Sequence, residues 1–169
     1  MKRNNIIFIL AILLLAFLST LIFNVSGNSM KPTFQNGEVL FVDKRPSWTS
    51  EKIGRDDVVI IKAKRSWFPI NVIKRIIALP NEKIVIRSGK VFINDKELLN
   101  DYGERIADPG IASKPILLGA DEYFVMGDNR NDSSDSRDPW LGVVHRKQII
   151  GSPVFRIFPF NKFGTIKER

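Results

Sequence analysis

The sequence predicts a mainly β protein, a coiled or barrel-like arrangement of sheets preceded by one N-terminal apolar helix. Three observations lead there. Beyond residue 25 no long stretch repeats its apolar positions every 3.6 residues; short β-branched runs recur instead, separated by turn residues. Ser88-Gly89 joins two such runs as a two-residue hairpin turn, and Asn94-Asp95 is positioned to start another. Before residue 25, Ile6–Phe23 is 18 residues without a charge, polar only at Ser19 and Thr20.

The apolar run comes first in the chain. As a helix it would be about 27 Å long, against a hydrocarbon core of roughly 30 Å. A cleavable signal peptide is the competing reading: its apolar core of about 7–15 residues could be drawn from Ile6–Leu18, with Val25-Ser26-Gly27 as a small-residue site. The full length fits a retained span better, and Ala-x-Ala is absent. Lys2 and Arg3 precede the span and only Lys31 follows it closely, which places the N-terminus in the cytoplasm. The expected organisation is a cytoplasmic tip and transmembrane anchor over 1–25 and an extracytoplasmic β-rich domain over 26–169.

The strands expected in that domain are Val39–Val42, Val58–Ile61, Val72–Leu79, Lys83–Arg87, Lys90–Ile93, Tyr123–Met126 and Val154–Phe158, with most of the 9 prolines falling between them. Residues 100–121 carry no regular pattern and read as a long excursion. No internal repeat or low-complexity tract occurs.

Composition removes several chemistries. With no cysteine there is no disulfide scaffold, thiolate metal site or Cys nucleophile, and the single histidine, His145, rules out a multi-His metal centre. The net charge is +8, but the basic residues are scattered and form no helix-turn-helix or RNP pattern. Anionic lipid headgroups suit this balance at least as well as nucleic acid does.

Three segments could carry chemistry. In Ser26-Gly27-Asn28-Ser29-Met30-Lys31-Pro32-Thr33 the composition is that of a juxtamembrane turn; the sharper reading makes Ser29 a nucleophile, with Gly27 giving a substrate backbone close access. In Asn71-Val72-Ile73-Lys74-Arg75-Ile76-Ile77 the period of 2 puts Lys74 on one apolar face and Arg75 on the other. An edge strand with two snorkelling cations explains this; so does an inward lysine, which desolvation makes a neutral general base. Arginine cannot take that part, since its pKa stays above about 12. Gly127–Arg137 (GDNRNDSSDSR) reads as a solvated polar loop, or as a hydrogen-bonded wall folded back between two apolar runs. It is not a calcium loop: with Asp128 as first ligand, Arg130 falls at position three and Pro139 at the closing glutamate.

Together and in this order, the segments resemble the bacterial type I signal peptidase (leader peptidase) family. Ser29-Met30-Lys31-Pro32-Thr33 is similar to its nucleophile box, Lys74-Arg75-Ile76-Ile77-Ala78-Leu79-Pro80 to its general-base box, Gly127–Arg137 to its third signature and residues 151–164 to its C-terminal strand. The single anchor and compact size resemble the Gram-positive form. The resemblance implies the signal peptidase/LexA-like Ser-Lys protease fold and a membrane-anchored serine endopeptidase that removes signal peptides after small residues of Ala-x-Ala type. It implies Ser29 as nucleophile, Lys74 as general base, Ser133 orienting the lysine amine, Asp135 and Arg137 as a supporting ion pair, and Met30 near the substrate cleft. No metal or organic cofactor is called for. The implied partners are secretory preproteins and membrane lipid, not nucleic acid, with the enzyme working as a monomer near the translocation machinery. Phe34, Trp48, Trp67 and Phe68 are the candidates for an apolar surface against the membrane.

The chain departs from the family pattern at three places. Gly27 stands where some members carry a hydroxyl that helps bind the oxyanion, so the second donor is a different group. Ala78 and Asn81 stand where glycines are common; asparagine tolerates the left-handed backbone that position calls for. Relatives of the endoplasmic reticulum place a histidine base before the arginine, whereas Lys74 stands here. Three rivals remain. A membrane-tethered binding module would make the polar loop purely structural. A LexA-like self-cleaving protein would need a helical DNA-binding domain and a scissile Ala-Gly or Cys-Gly. A Ser29–His145 pair would make His145 essential.

Overall fold

The computed structural model describes residues 20–44, 53–65, 67–99 and 104–166. Each expected run is a strand. In chain order the described strands are β1 (Thr20–Asn24), β2 (Val39–Asp43), β3 (Val58–Arg65), β4 (Phe68–Ala78), β5 (Lys83–Arg87), β6 (Lys90–Ile93), β7 (Lys96–Glu97), β8 (Ile116–Leu117), β9 (Glu122–Met126), β10 (Val144–His145), β11 (Ile149–Phe158) and β12 (Gly164–Thr165). They form an eight-stranded sheet in the order β1-β2-β11-β3-β4-β9-β10, with β12 beside β11, and a four-stranded sheet in the order β7-β6-β5-β8. Every pairing is antiparallel, and register shifts in β11 and β4 bend the larger sheet.

The N-terminal expectation is corrected in one respect. Thr20–Asn24, read as the end of a membrane helix, is β1, paired with β2 from Thr20↔Asp43 to Asn24↔Val39. Thr, Leu, Ile and Phe suit a pleated, half-buried strand as well as an apolar helix. Here alternation decides: Phe23 is buried while Ile22 is 65 % exposed. The β structure therefore includes Thr20–Asn24 rather than beginning after residue 25. The remainder of the expected span, Ile6–Ser19, lies outside the described residues. No helix among the described residues is long and apolar enough to cross a membrane.

Both two-residue turns form. Ser88 and Gly89 have φ of 51° and 75°, Asn94 and Asp95 of 48° and 66°, as a type I′ turn requires. Asn81 likewise has φ of 64°. The excursion over 100–121 resolves, in its described part, into a short 3-10 helix (Gly110–Ser113) and β8. It is tied to the polar loop: the Asn131 side chain accepts from Ala107 N–H at 2.9 Å and donates to the Arg105 carbonyl at 3.1 Å, and Ile111 N–H donates to the Arg137 carbonyl.

The strand β4 is covered on both faces. Ile73 joins a cluster with Met30, Phe34 and Leu40, while Ile76 joins another with Val59, Val125 and Ile149. This is why Lys74 and Arg75 are both buried, each 4 % exposed, rather than two cations snorkelling from an edge strand. Of the aromatics expected to face a membrane, Phe34 is instead core, at 0 % exposure, where burial of its ring contributes about 1.5–3 kcal/mol. Trp67 and Phe68 at the β3–β4 turn are 92 % and 74 % exposed. Trp48 lies outside the described residues.

Candidate active site

Ser29 sits on a tight turn that the core holds from beneath. Lys31 N–H donates to the Asn28 carbonyl and Phe34 N–H to the Met30 carbonyl, so Met30 and Phe34 plunge together into the cluster that includes Val25 and Ile73. Met30, at 1 % exposure, fills that core immediately after Ser29 in the chain. The C-terminal strand grips the same turn: Arg156 donates to the Thr33 carbonyl at 3.0 Å, pairs with buried Glu38 at 2.8 Å, and stacks over Phe34.

Lys74 Nζ lies 2.6 Å from Ser29 Oγ. Burial of the amine pushes its pKa down to about 8; the Asp135 charge opposes that shift and the Arg137 charge reinforces it. A buried lysine that releases its proton near neutral pH, touching a serine hydroxyl, is the arrangement that turns a weak nucleophile into a reactive one.

The remaining expected residues surround this pair, with one difference. Asp135 and Arg137 are ion-paired through two of the three guanidinium nitrogens, Nε and Nη2, each at 2.9 Å, and Asp135 also accepts Gly127 N–H at 3.0 Å. Ser133 does not hydrogen-bond the lysine amine: its Oγ is buried and has no hydrogen-bond partner among the described residues, while the amine is engaged with Ser29. The Ser133 hydroxyl packs against Gly127 instead. A Cβ at Gly127 would overlap both Ser133 Oγ and the Ser29 carbonyl oxygen, so glycine there is what lets the polar loop close on the Ser29 turn. Gly127→Ala is expected to leave the fold intact, at an overpacking cost of about 1–3 kcal/mol, and to cut turnover about 100-fold by displacing the dyad. Parent-level turnover in that variant would show the close approach to be dispensable.

Sequence reasoning singled out neither Gly127 nor two further contacts. Arg75 makes a two-pronged pair with Asp128 (2.7 and 2.6 Å), which also accepts the Thr33 hydroxyl at 2.5 Å, while Arg75 Nη1 donates to the Asp56 carbonyl at 2.6 Å. Asn129 N–H holds the Ser29 carbonyl at 3.0 Å. The signal available was an arginine flanked by isoleucines, which demanded a buried carboxylate somewhere. Nothing in the spacing says which of the 18 acidic residues supplies it.

His145 stands apart: Nδ1 faces Asp121 at 3.3 Å and Nε2 faces Glu122 at 3.9 Å, and no hydrogen bond joins it to Ser29. The Gly27 N–H donates to Asn36 Oδ1 at 2.9 Å and is thus already engaged. Among the described residues no group of three or more His, Cys, Asp or Glu could hold a metal ion.

The family described as signal peptidase, peptidase S26, matches residues 1–158. Among curated proteins, the chain is 33 % identical to signal peptidase I P of Bacillus subtilis subsp. natto, covering 98 % of this chain and 96 % of that protein. It is 34 % identical to signal peptidase I T of Bacillus subtilis strain 168, covering 94 % and 86 %. Among solved structures it is similar to a signal peptidase I of Enterococcus faecalis V583, with a TM-score of 0.50 and 28 % identity over 62 % of this chain and 98 % of that one.

Proposed function

Because the chain belongs to the signal peptidase, peptidase S26, family and is a serine peptidase, we propose that it removes N-terminal signal peptides from exported preproteins with a Ser29/Lys74 dyad. The observation that carries this reading is the 2.6 Å contact between the Ser29 hydroxyl and a buried amine whose pKa is about 8. Neutral Lys74 takes the Ser29 proton as Oγ attacks the scissile carbonyl. The resulting ammonium returns that proton to the leaving amine, which frees the mature N-terminus and leaves an ester on Ser29. Lys74 then deprotonates a water that resolves the ester and regenerates the hydroxyl. Asp135 and Arg137 brace the polar loop against this pair.

The sheet offers a place for an extended substrate. One edge of β4 is paired with β3 from Phe68 to Arg75, whereas the other is taken by β9 only from Arg75 onward. Among the described residues no strand pairs with 68–74 on that side, which leaves an edge ending at Lys74 that suits an added strand held by backbone hydrogen bonds. Met30 and Ile73 fill the core beside the dyad and favour small side chains of Ala-x-Ala type.

In this reading residues before Thr20 anchor the enzyme in the plasma membrane as a single span, N-terminus inside. Exposed Trp67 and Phe68 meet the lipid interface as amphipathic rings do. By register, β1 begins at the same end of the strands as the β3–β4 turn, so anchor and aromatic tip would meet one surface. A monomer beside the translocation machinery suffices, since tethering raises the effective concentration of signal peptides.

The full chain in detergent, incubated with a labelled preprotein, is expected to release the mature protein, and Ser29→Ala to release none. Intact preprotein after prolonged incubation with the parent enzyme would overturn the proposal. Protease added to spheroplasts should digest the domain; full protection would reverse the orientation.

A further inference from the structure

Resting on that reading, we propose that the β3–β4 hairpin docks on lipid and selects anionic phospholipid headgroups, through Lys62 and Lys64 beside the Trp67–Phe68 tip. The sequence supplies the charge. From Val58 to Asn81 the chain holds Lys62, Lys64, Arg65, Lys74 and Arg75 and no Asp or Glu. Lys74 and Arg75 are buried, and Arg75 is paired with Asp128. The remaining charge of the hairpin therefore lies towards its tip. Lys62 and Lys64 are both exposed and neither makes an ion pair or hydrogen bond, so no carboxylate among the described residues neutralises them.

Strand pairing gives that charge a direction. Among the described residues β3 pairs with β11 no further along than Ile61, and β4 pairs with β9 only from Arg75 onward. Residues 62–71 are thus a two-stranded ribbon, held by the pairs from Lys62↔Asn71 to Arg65↔Phe68. Residues directly opposite in an antiparallel pair share a face, so Lys62, Asn71, Lys64 and Pro69 form one exposed face, while Ala63 and Ile70 lie on the other. Lys64 and Lys62 stand one and three residue pairs behind Arg65↔Phe68, roughly 3 and 10 Å back along the strands. Both are then within the reach of a charged lipid surface, a Debye length of about 10 Å at 0.1 M salt.

These features fit one occupant. Trp67 and Phe68, 92 % and 74 % exposed, are rings of the kind that settle at headgroup depth. The tip lies at the end of the strands where β1 begins, and the chain before Thr20 is the apolar run. Zwitterionic headgroups would engage the rings alone. Anionic headgroups also attract the two ammonium groups, whose long stems let them reach phosphates from the apolar boundary.

The test places the full-length enzyme in vesicles of equal parts phosphatidylcholine and phosphatidylglycerol, with brominated acyl chains on one lipid or the other. Bromine quenches indole fluorescence on contact, and the quenching lost in Trp67→Phe belongs to Trp67. At low salt, brominated phosphatidylglycerol is expected to quench Trp67 about threefold more than brominated phosphatidylcholine. The double variant Lys62→Gln, Lys64→Gln should bring the two lipids to parity, and added salt should move the parent enzyme the same way. Equal quenching in the parent at low salt, or an unchanged preference in the double variant, would overturn the headgroup selection. Quenching of Trp67 by neither lipid would overturn the docking itself and leave the tip to a protein partner. The same vesicles receive a labelled preprotein. Failure to cut it would overturn the peptidase reading, which the quenching ratio does not touch, so the two failures are distinct.

Discussion

Lys74→Arg is expected to fold and yet to cleave no preprotein at a measurable rate, matching Ser29→Ala. The substitution keeps the charge and the approximate length, but a guanidinium does not release its proton in water's pH range, so Ser29 Oγ, 2.6 Å from the amine in the parent, would face a permanent cation. The same chemistry fixes the pH profile. The working amine is neutral and its pKa is lowered from 10.5 to about 8, so kcat/KM should rise with pH and level off above about 8 rather than above 10.

A stability effect of the same sense, in a higher pH window, accompanies it. Below pH 8 both folded and unfolded chains hold the lysine proton, and the folded state bears the full cost of a buried cation. Between 8 and 10.5 the unfolded state binds more protons, so stability rises with pH there, by at most about 3 kcal/mol. Lys74→Met should therefore melt higher than the parent at pH 7, with the gap closing by pH 10.5. An active, folded Lys74→Arg enzyme would end the Ser/Lys mechanism and turn attention to His145.

How much of this was legible in the chain can be argued residue by residue. The β-branched runs between turn residues gave the strands, because alternation and turn chemistry are local. Ser88-Gly89 and Asn94-Asp95 gave the hairpins for the same reason. The segment Thr20–Asn24 was not legible as β1: it continues an apolar run, and only the partner strand β2, about twenty residues on, separates strand from helix. Phe34 could not be told from a surface aromatic until the turn folding Met30 and Phe34 into one core was known. In the candidate site the motif order carried Ser29 and Lys74, but motif order does not show which way a hydroxyl turns. Ser133 accordingly lies against Gly127, not on the amine.

The cross-brace between Arg75 and Asp128 carries the second large expectation. Two ion pairs of nearly equal length make the case: Arg75–Asp128 at 2.6 Å with side chains 5 % and 1 % exposed, and Lys90–Glu97 at 2.7 Å with side chains 49 % and 37 % exposed. Distance does not separate them; burial does. In water the second pair is screened and contributes about 0–1 kcal/mol. Removing one partner of the first strands a charge in the core, which costs about 3–5 kcal/mol. That is a large part of the roughly 5–15 kcal/mol by which a domain is stable. Asp128 also receives the Thr33 hydroxyl, and Arg75 the Asp56 carbonyl. The loss would loosen the nucleophile turn, the base strand and the polar loop together. Asp128→Ala should accordingly lower Tm by about 10 °C and remove nearly all activity even at temperatures where the protein stays folded, whereas Glu97→Ala should change neither. Thr33→Val, which leaves the ion pair in place, should retain most of the stability and lose part of the turnover. Calorimetry on the three variants decides the matter: equal melting temperatures for Asp128→Ala and Glu97→Ala would mean that the buried pair does not hold the site together.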